Sequence, residues 1–431
     1  MATKIVKPRL SSLSPMFLLV TMIVGLSLYF GDFYKVPLVV LFLITSIFSL
    51  FTLKGMTANK RIEVFSKGAG QSDLMLMIWI FILAGAFAQT AKEMGAVDAT
   101  VNLTLHFLPA NMLLPGVFVA ACLISLSIGT SVGTIAALVP IITALANKTE
   151  IDPAMLTAAT VGGAFFGDNL SFISDTTVVA TKTQGCKMSD KFKTNFLIVL
   201  PAAIITFAIY LFIGSGNSTS PTTEDYSLLK IIPYIAVLAT AIAGLNVLIV
   251  LPIGIILCAI IGICGQDLTL LSFLDSAKQG IYSMNETMLI ALLAGGLLAV
   301  VREAGGIDYI INKLSSHSGG KIKAQLSVAT LVSLTNLCTA NNTVAILSVG
   351  SIAKDISSKF NINPRKTASI LDTFSCFVQG IIPYGAQLLI ASSLAGISAM
   401  SLMPYLFYPY LIGVSALLSI LTNYPKIKNN H

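Results

Sequence analysis

The chain has 431 residues, of which 55% are hydrophobic and only 10% are charged. A soluble domain carries about 25% charged residues, so this composition excludes a soluble globular protein. The net charge of +7 does not indicate a nucleic-acid partner, because the lysines and arginines form short clusters between apolar runs, as the positive-inside rule requires of a membrane protein.

Apolar segments near bilayer length, roughly 20 residues, recur along the whole chain. No intervening segment is long enough to fold separately, so we predict one integrated membrane domain over residues 1–431. Basic residues precede the first apolar run, which begins at Met16. Because no signal-peptidase site follows, this segment is expected to stay as a signal anchor. Spans at about 16–31 and 36–53 form an N-terminal region, residues 1–73.

Two segments of the chain resemble each other, which predicts an internal duplication. FILAGAFAQTAKEMGAVDATVN begins at Phe81, and LLAGGLLAVVREAGGIDYIIN begins at Leu292. They share LAG, a basic residue followed by Glu, and Gly, Asp and Asn at matching positions, and further polar and Pro matches follow. We predict a first repeat over 74–213 and a second over 286–425, joined by connecting spans in 214–285.

The basic loops predict the membrane topology. The N-terminus and the loops 54–67 and 182–193 are rich in Lys and Arg and are placed inside, whereas 214–227 has neither residue and is placed outside. These positions agree only if one crossing occurs between residues 92 and 182. We therefore interpret Leu113–Asn147 as a re-entrant hairpin, and two short crossings are the alternative.

The second half follows the same logic with the opposite orientation. The predicted fold is an all-α polytopic membrane protein with two inverted-topology repeats, re-entrant hairpins and discontinuous helices, about ten transmembrane spans plus two hairpins. The predicted location is the cell inner membrane, with both termini cytoplasmic. Inverted repeats with broken helices are typical of secondary transporters, although channels also carry re-entrant segments.

Four breaks interrupt the predicted helices, at 129–134, 167–175, 339–343 and 379–387. Irregular backbone survives at membrane depth only inside protein or beside a water-filled cavity, and these breaks are rich in the oxygen ligands that small cations prefer. The predicted ion- or substrate-binding residues are Thr130, Ser131, Thr134, Asp168, Asn169, Ser171, Ser174, Asp175, Thr176, Thr339, Asn341, Asn342, Thr343, Asp372 and Gln379.

Asp168 and Asp175 give the strongest single signals. A carboxylate inside the bilayer is costly and usually marks an ion or proton pathway, so both are candidate Na⁺ ligands. The alternative is that one merely caps a half-helix, and Asp175 before Thr176 is a plausible N-cap. Asp372 lies in the matching span of the second half. The six cysteines and three histidines lack metal-ligand spacing, so no cofactor is expected.

Two stretches also resemble a known family. GTSVGTIAALVPI from Gly129 and GAFFGDNLSFISDTT from Gly163 are similar to the signatures of the NhaC sodium/proton antiporter family, and the similarity extends over roughly 70–425. That family typically reads GTSWGT and GDKMSPLSDTT. Here Val132 replaces the Trp, Asn169 the Lys and Phe172 the Pro, and losing a cation beside Asp168 would alter which ion the carboxylate favours.

The resemblance implies cation-coupled antiport more firmly than it implies Na⁺ as the substrate. Exchange of Na⁺ for H⁺ is the leading hypothesis, with the lipid bilayer as the surroundings. The alternative is a cation-coupled exchanger or symporter of a small organic acid or amino acid, similar to malate–lactate or amino-acid exchangers. A passive channel is a third hypothesis. An enzyme is not expected, because no nucleophile–base constellation stands out. The sequence leaves a homodimer open.

Overall fold

The computed structural model describes residues 9–30, 37–107, 109–149, 151–171, 174–215, 227–243, 245–309 and 320–425. Throughout these ranges the chain is helical and has no β-strand. The helices are α1 (Ser14–Phe30), α2 (Leu38–Leu50), α3 (Ala58–Ala69), α4 (Ser72–Glu93), α5 (Ala96–Phe107), α6 (Leu113–Ile128), α7 (Ser131–Thr149), α8 (Pro153–Leu170), α9 (Asp175–Gln184), α10 (Met188–Gly214), α11 (Leu228–Ile242), α12 (Val247–Cys264), α13 (Leu270–Ser283), α14 (Asn285–Glu303), α15 (Lys321–Thr339), α16 (Asn342–Lys359), α17 (Pro364–Gln379), α18 (Ala386–Ala395), α19 (Ala399–Leu402) and α20 (Phe407–Leu421).

The apolar composition of these helices fits a multi-pass membrane protein. Among the described residues, five helical stretches are long and apolar enough to cross a bilayer, and a pair bent by 102° can count as a sixth. The five stretches are Leu74–Glu93, Ser131–Thr149, Met188–Gly214, Val247–Cys264 and Leu270–Glu303. Further apolar helices of 10–17 residues, such as α2, α11 and α20, are shorter than that limit. The count of ten spans and two hairpins therefore stays a prediction.

All four predicted breaks are confirmed as interruptions between helices. Gly129, at φ 75°, ends α6 before α7, and Ala340, at φ 47°, ends α15 before α16. α8 ends at Leu170 and α9 begins at Asp175, while α17 ends at Gln379 and α18 begins at Ala386. A left-handed residue such as Gly129 lets the chain leave one helix and start the next within two residues.

The predicted basic loop 54–67 is wrong in its local structure, because much of it belongs to α3. This helix mixes charged and apolar residues, so its sequence lacks the continuous apolar run by which spans were recognised. Helix α13 has the same mixed composition and lies within the predicted connecting region 214–285. The basic residues before Arg9, most of the predicted external loop 214–227 and the lysines beyond 425 lie outside the described residues.

The two halves of the chain pack reciprocally. Helix α3 packs against α14 while α13 packs against α4, and α2 packs against α14 while α12 packs against α4. In the same manner α9 packs against α16 while α18 packs against α7. Each helix pair between the halves thus has a counterpart with the halves exchanged. The pattern includes α2, α3, α12 and α13, which precede the two segments of recognisable sequence similarity.

Glycines allow the closest of these crossings. Gly85 of α4 and Gly280 of α13 face each other so closely that a Cβ on either would overlap the carbonyl oxygen of the other. In the reciprocal crossing, a Cβ on Gly68 of α3 would lie 2.5 Å from the Gly295 carbonyl oxygen of α14. Small residues permit such close backbone approach between membrane helices.

Candidate functional site

The four breaks meet at one cavity of about 380 Å³. Polar side chains from both halves line it, together with apolar residues of α4. The polar lining residues are Thr130, Ser131, Asp168, Ser174, Asp175, Thr176, Asn341, Asn342, Thr343, Gln379 and Gln387. Its lining includes two carboxylates and, among the described residues, neither lysine nor arginine. We call this space the central cavity.

Asp168 lies near the end of α8, against the break between α6 and α7. Its side chain is buried, with 4% exposed. Asp168 Oδ1 accepts a hydrogen bond from the Ser131 backbone N–H at 3.0 Å, and Oδ2 accepts one from the Ser131 hydroxyl at 2.5 Å. Because Ser131 begins α7, the carboxylate also faces a helix N-terminus, where a negative charge is favoured.

Glycines in α8 explain why Asp168 reaches this position. A Cβ on Gly163 would lie 2.6 Å from the Phe118 carbonyl oxygen of α6, and a Cβ on Gly167 would overlap the Ser125 side chain. The Ser125 hydroxyl donates to the Ala164 carbonyl at 2.6 Å and fixes the two helices at this crossing. The end of α8 is therefore held against the hairpin that α6 and α7 form.

A relay of amide groups connects Ser131 to the second half. Gln387 Nε2 donates to Ser131 Oγ at 3.0 Å, and Gln379 Nε2 donates to Gln387 Oε1 and to the Ala340 carbonyl, both at 2.9 Å. Because an amide nitrogen only donates, the Ser131 hydroxyl hydrogen is directed to Asp168. Gln379 Oε1 is buried and, within the described part of the chain, accepts no hydrogen bond.

The remaining carboxylate of the cavity has a different environment. Asp175 lies in the first turn of α9 and is exposed. The N-cap position belongs to Ser174, whose side chain makes no capping hydrogen bond. Ser174 Oγ instead lies 2.9 Å from Thr176 Oγ1 and 3.5 Å from Asp168 Oδ1. Both carboxylates therefore line one cavity, Asp168 from a buried position and Asp175 from an exposed one.

The geometry accords with comparisons to known proteins. A model of the Na⁺/H⁺ antiporter family matches residues 9–215 and 218–425. The chain belongs to the Na⁺/H⁺ antiporter family. It is similar to the Na⁺/H⁺ antiporter NhaC of Alkalihalophilus pseudofirmus, with 22% identity over 90% of this chain and 89% of the relative.

Other family relatives are similarly distant. The NhaC of Bacillus subtilis is 25% identical over 83% of this chain and 84% of its own length. The malate-2H⁺/Na⁺-lactate antiporter of Bacillus subtilis is 19% identical over 79% of this chain and 80% of its own. Among solved structures, the YdaH transporter of Alcanivorax borkumensis covers 95% of this chain and 99% of its own, with 13% identity and a TM-score of 0.43.

Five predicted site residues of this antiporter lie away from the central cavity. Thr134 donates its hydroxyl to the Thr130 carbonyl one turn back, and Thr339 lines a neighbouring cavity of about 80 Å³. Asn169, Ser171 and Asp372 are buried. Asn169 Nδ2 donates to the Phe165 carbonyl at 2.9 Å and to Tyr408 Oη at 3.1 Å. The structure thus separates these side chains from the cavity lining, although Asn169 directly follows Asp168.

Asp372 forms a buried ion pair that the sequence analysis missed. Lys191 Nζ lies 2.8 Å from Asp372 Oδ2, and the two side chains are 1% and 0% exposed. Lys191 was assigned to the basic loop 182–193, and this assignment is wrong because Lys191 belongs to the buried face of α10. Asn195, one turn later, donates to the same Oδ2 atom at 2.7 Å. Lys191 and Asn195, spaced i, i+4 at the start of an apolar helix, lie on one face of that helix, and this spacing was the sequence signal for a buried polar pair.

Gln387 is the other residue absent from the predicted binding set. It was noted as part of the fourth break, but nothing in the sequence indicated that it reaches Ser131. No group of three or more His, Cys, Asp or Glu side chains that could hold a metal ion occurs in the described ranges.

Proposed function

We propose that this protein exchanges Na⁺ for H⁺ across the cell inner membrane, and that Asp168 is the carboxylate for which the two ions compete. The observation that carries the proposal is the meeting of all four helix breaks around one buried carboxylate. A carboxylate can be neutralised by either cation but not by both at once. Competition at one site is sufficient to couple uptake of one ion to release of the other.

The surroundings of Asp168 support a bound cation. The cavity presents further oxygens, including the hydroxyls of Ser174 and Thr176. Ser174 Oγ lies 3.5 Å from Asp168 Oδ1, so both oxygens can contact one cation. Asp175 adds a second negative charge at the open side of the cavity and would attract cations towards Asp168.

The Ser131 hydroxyl gives the site a way to respond to its occupant. It donates to Asp168 Oδ2, and a hydrogen bond of this kind favours the charged form of a carboxylate. We propose that Na⁺ or a proton on Asp168 displaces this hydrogen bond and frees the hydroxyl oxygen to act as a ligand. The contact between α7 and α8 then changes with occupancy, which is what a transport cycle requires of a gate.

We further propose inverted repeats, with hairpins formed by α6–α7 and α15–α16 and with both termini cytoplasmic. The reciprocal packing of the two halves supports two related units. The distribution of basic residues supports the inversion. Facing hairpin tips at Gly129 and Ala340 would then approach the central cavity from opposite sides, in accord with alternating access to one site.

A second function is favoured by one observation. Four helix N-termini, those of α7, α9, α16 and α18, lie at the central cavity. Each provides backbone N–H groups and a partial positive charge that favour an anionic group. When both carboxylates bind protons, the cavity has no full negative charge among its described lining residues. It could then hold a small organic acid or the carboxylate of an amino acid, giving cation-coupled exchange of that solute.

Reconstitution decides between the two functions. The purified protein in liposomes containing only Na⁺, H⁺ and an impermeant anion should acidify or alkalinise the lumen when a Na⁺ gradient is imposed. Activity under these conditions supports Na⁺/H⁺ exchange. Activity that appears only after malate, lactate or an amino acid is added would replace it with the second function.

A further inference from the structure

The Lys191 ammonium occupies a complete set of acceptors in the protein interior. It lies 2.8 Å from Asp372 Oδ2, 2.7 Å from Thr177 Oγ1 and 2.8 Å from the Asn169 carbonyl oxygen. An ammonium has three donors, and each finds one acceptor here. Lys191 and its partners are at most 2% exposed. A buried charge is tolerated only when it is paired and hydrogen-bonded in this manner.

The same cluster has more oxygen acceptors than its donors can satisfy. Within the described residues, Asn169 Oδ1, Asn195 Oδ1 and Asp372 Oδ1 are buried and accept no hydrogen bond. Asn195 Nδ2 donates to both the Asn169 carbonyl and Asp372 Oδ2, which fixes the orientation of that amide. The oxygens in contact with the ammonium are a carboxylate, a hydroxyl and a backbone carbonyl, which are hard ligands suited to a cation.

The position of this cluster connects it to the central cavity. Asn169 directly follows Asp168 at the end of α8, Thr177 lies in the first turn of α9, and Asp372 lies in α17. Lys191 thus bonds to both sides of the second break, between α8 and α9, and to α17 of the second half. A change of charge at Lys191 would therefore be transmitted to the segment that holds Asp168.

We propose that this cluster is a second monovalent-cation site whose resident cation is the Lys191 ammonium. The tethered ammonium neutralises Asp372 and occupies the position where Na⁺ would bind, so Asp168 alone binds the transported ion. This inference rests on the proposed function of Asp168. Lys191 is accordingly a positioning and specificity residue: it sets how many Na⁺ ions the protein can hold.

Thermal unfolding of the purified full-length protein tests the assignment, with NaCl compared against choline chloride at equal ionic strength. Asp168→Asn removes the carboxylate for the transported ion and should abolish the Na⁺-selective rise in Tm. Adding Lys191→Gln in this background should restore a Na⁺-selective rise of about 2–4 °C, because Asp372 now needs a cation. Adding Asp372→Asn as a third change should remove it again.

Lys191→Arg in the Asp168→Asn background is the matched control. It keeps a tethered cation, so no Na⁺-selective rise is expected. An ion pair with only a structural role predicts that Lys191→Gln lowers Tm equally in both salts. A Tm of the Asp168→Asn, Lys191→Gln variant that does not depend on Na⁺ would overturn the inference.

The Asp168→Asn, Lys191→Gln variant remains informative if it folds poorly. Recovery of a monodisperse protein in NaCl but not in choline chloride would show that Na⁺ stabilises it and supports the inference. If it aggregates in both salts, Asn195→Asp in the Asp168→Asn background replaces it, since this change adds a negative charge and leaves Lys191 in place. Absence of Na⁺-selective stabilisation there would overturn the inference. A Na⁺-selective rise that persists in Asp168→Asn alone would instead contradict the proposed function.

Discussion

Ser131 and Asp168 are 37 positions apart in the chain, yet the serine donates both its N–H and its hydroxyl to the one carboxylate, at 3.0 and 2.5 Å. This contact joins the start of α7 to the end of α8. It also places the carboxylate at the N-terminus of α7. Binding of a cation or a proton to Asp168 would therefore alter the contact between α7 and α8.

Removal of the Ser131 hydroxyl should weaken Na⁺ binding. Ser131→Ala deletes the hydroxyl oxygen that is proposed to bind Na⁺ once its hydrogen bond to Asp168 is displaced. A polar contact with a charged group contributes about 1.5–3 kcal/mol. The hydrogen bond that Na⁺ no longer has to displace offsets part of this, so the apparent Na⁺ affinity should fall roughly 10-fold. Na⁺-dependent proton flux in proteoliposomes measures this. Thr143→Val is the control, because the Thr143 hydroxyl donates only to the Val139 carbonyl of its own helix.

Gln387 and Ser131 should be energetically coupled. Gln387→Leu removes the donor that orients the Ser131 hydroxyl, and we expect a loss of roughly 0.5–1.5 kcal/mol in Na⁺ binding, a several-fold effect. In the double variant with Ser131→Ala, the loss of Na⁺ binding free energy should be smaller than the sum of the two single-variant losses, because the two residues share one hydrogen bond. Strictly additive losses would show that Gln387 is not energetically coupled to Ser131 and would contradict this prediction.

The break between α15 and α16 provides a parallel test. The predicted repeat aligns this break with that between α6 and α7 and pairs Asn342 with Ser131, and Asn342 lines the central cavity. Its Oδ1 accepts from the Thr343 N–H at 3.0 Å. Asn342→Ala should lower the apparent substrate affinity without unfolding the protein, as judged by size-exclusion chromatography. If Asn342→Ala and Ser131→Ala both leave that affinity unchanged, neither tip binds the transported ion.

Close glycine packing should matter for stability. Gly85→Ala places a methyl group against the Gly280 backbone, and backbone cannot rotate away as a side chain can. Overpacking typically costs about 1–3 kcal/mol, which a thermal unfolding assay would detect as a lower Tm. Gly25→Ala in α1 is the matched control, since nothing lies within 4 Å of the added Cβ. Equal Tm values for the two variants would contradict the crossing.

Membrane orientation can be tested with single cysteines. The proposed inverted repeat would place the end of α7 outside and the end of α16 inside. Asn147 and Ser358 are exposed near these ends and can each be replaced by cysteine in a background without the six native ones. An impermeant thiol reagent added to right-side-out cells should label position 147 and spare position 358. Labelling of both from one side would refute the inversion.

Local chemistry made the breaks and Asp168 predictable from sequence. Polar residues inside apolar segments stand out, and backbone in a membrane has few ways to be irregular. The contact of Gln387 with Ser131 could not be predicted, because it joins residues 256 positions apart and depends on how the halves pack. Lys191 was hidden for another reason: it neighbours exposed lysines in the chain, and only burial separates it from them.

Na⁺ flux measured across a pH series tests the central claim most directly. Asp168→Asn keeps the side-chain volume and, as a cap of α7, remains able to accept a hydrogen bond, but it removes the titrating charge. ΔpH-driven ²²Na⁺ uptake should be abolished in Asp168→Asn at every pH, while expression and membrane insertion persist. Asp175→Asn, at the open side of the cavity, should transport more slowly and keep its pH dependence. Parental flux with a parental pH profile in Asp168→Asn would contradict the account.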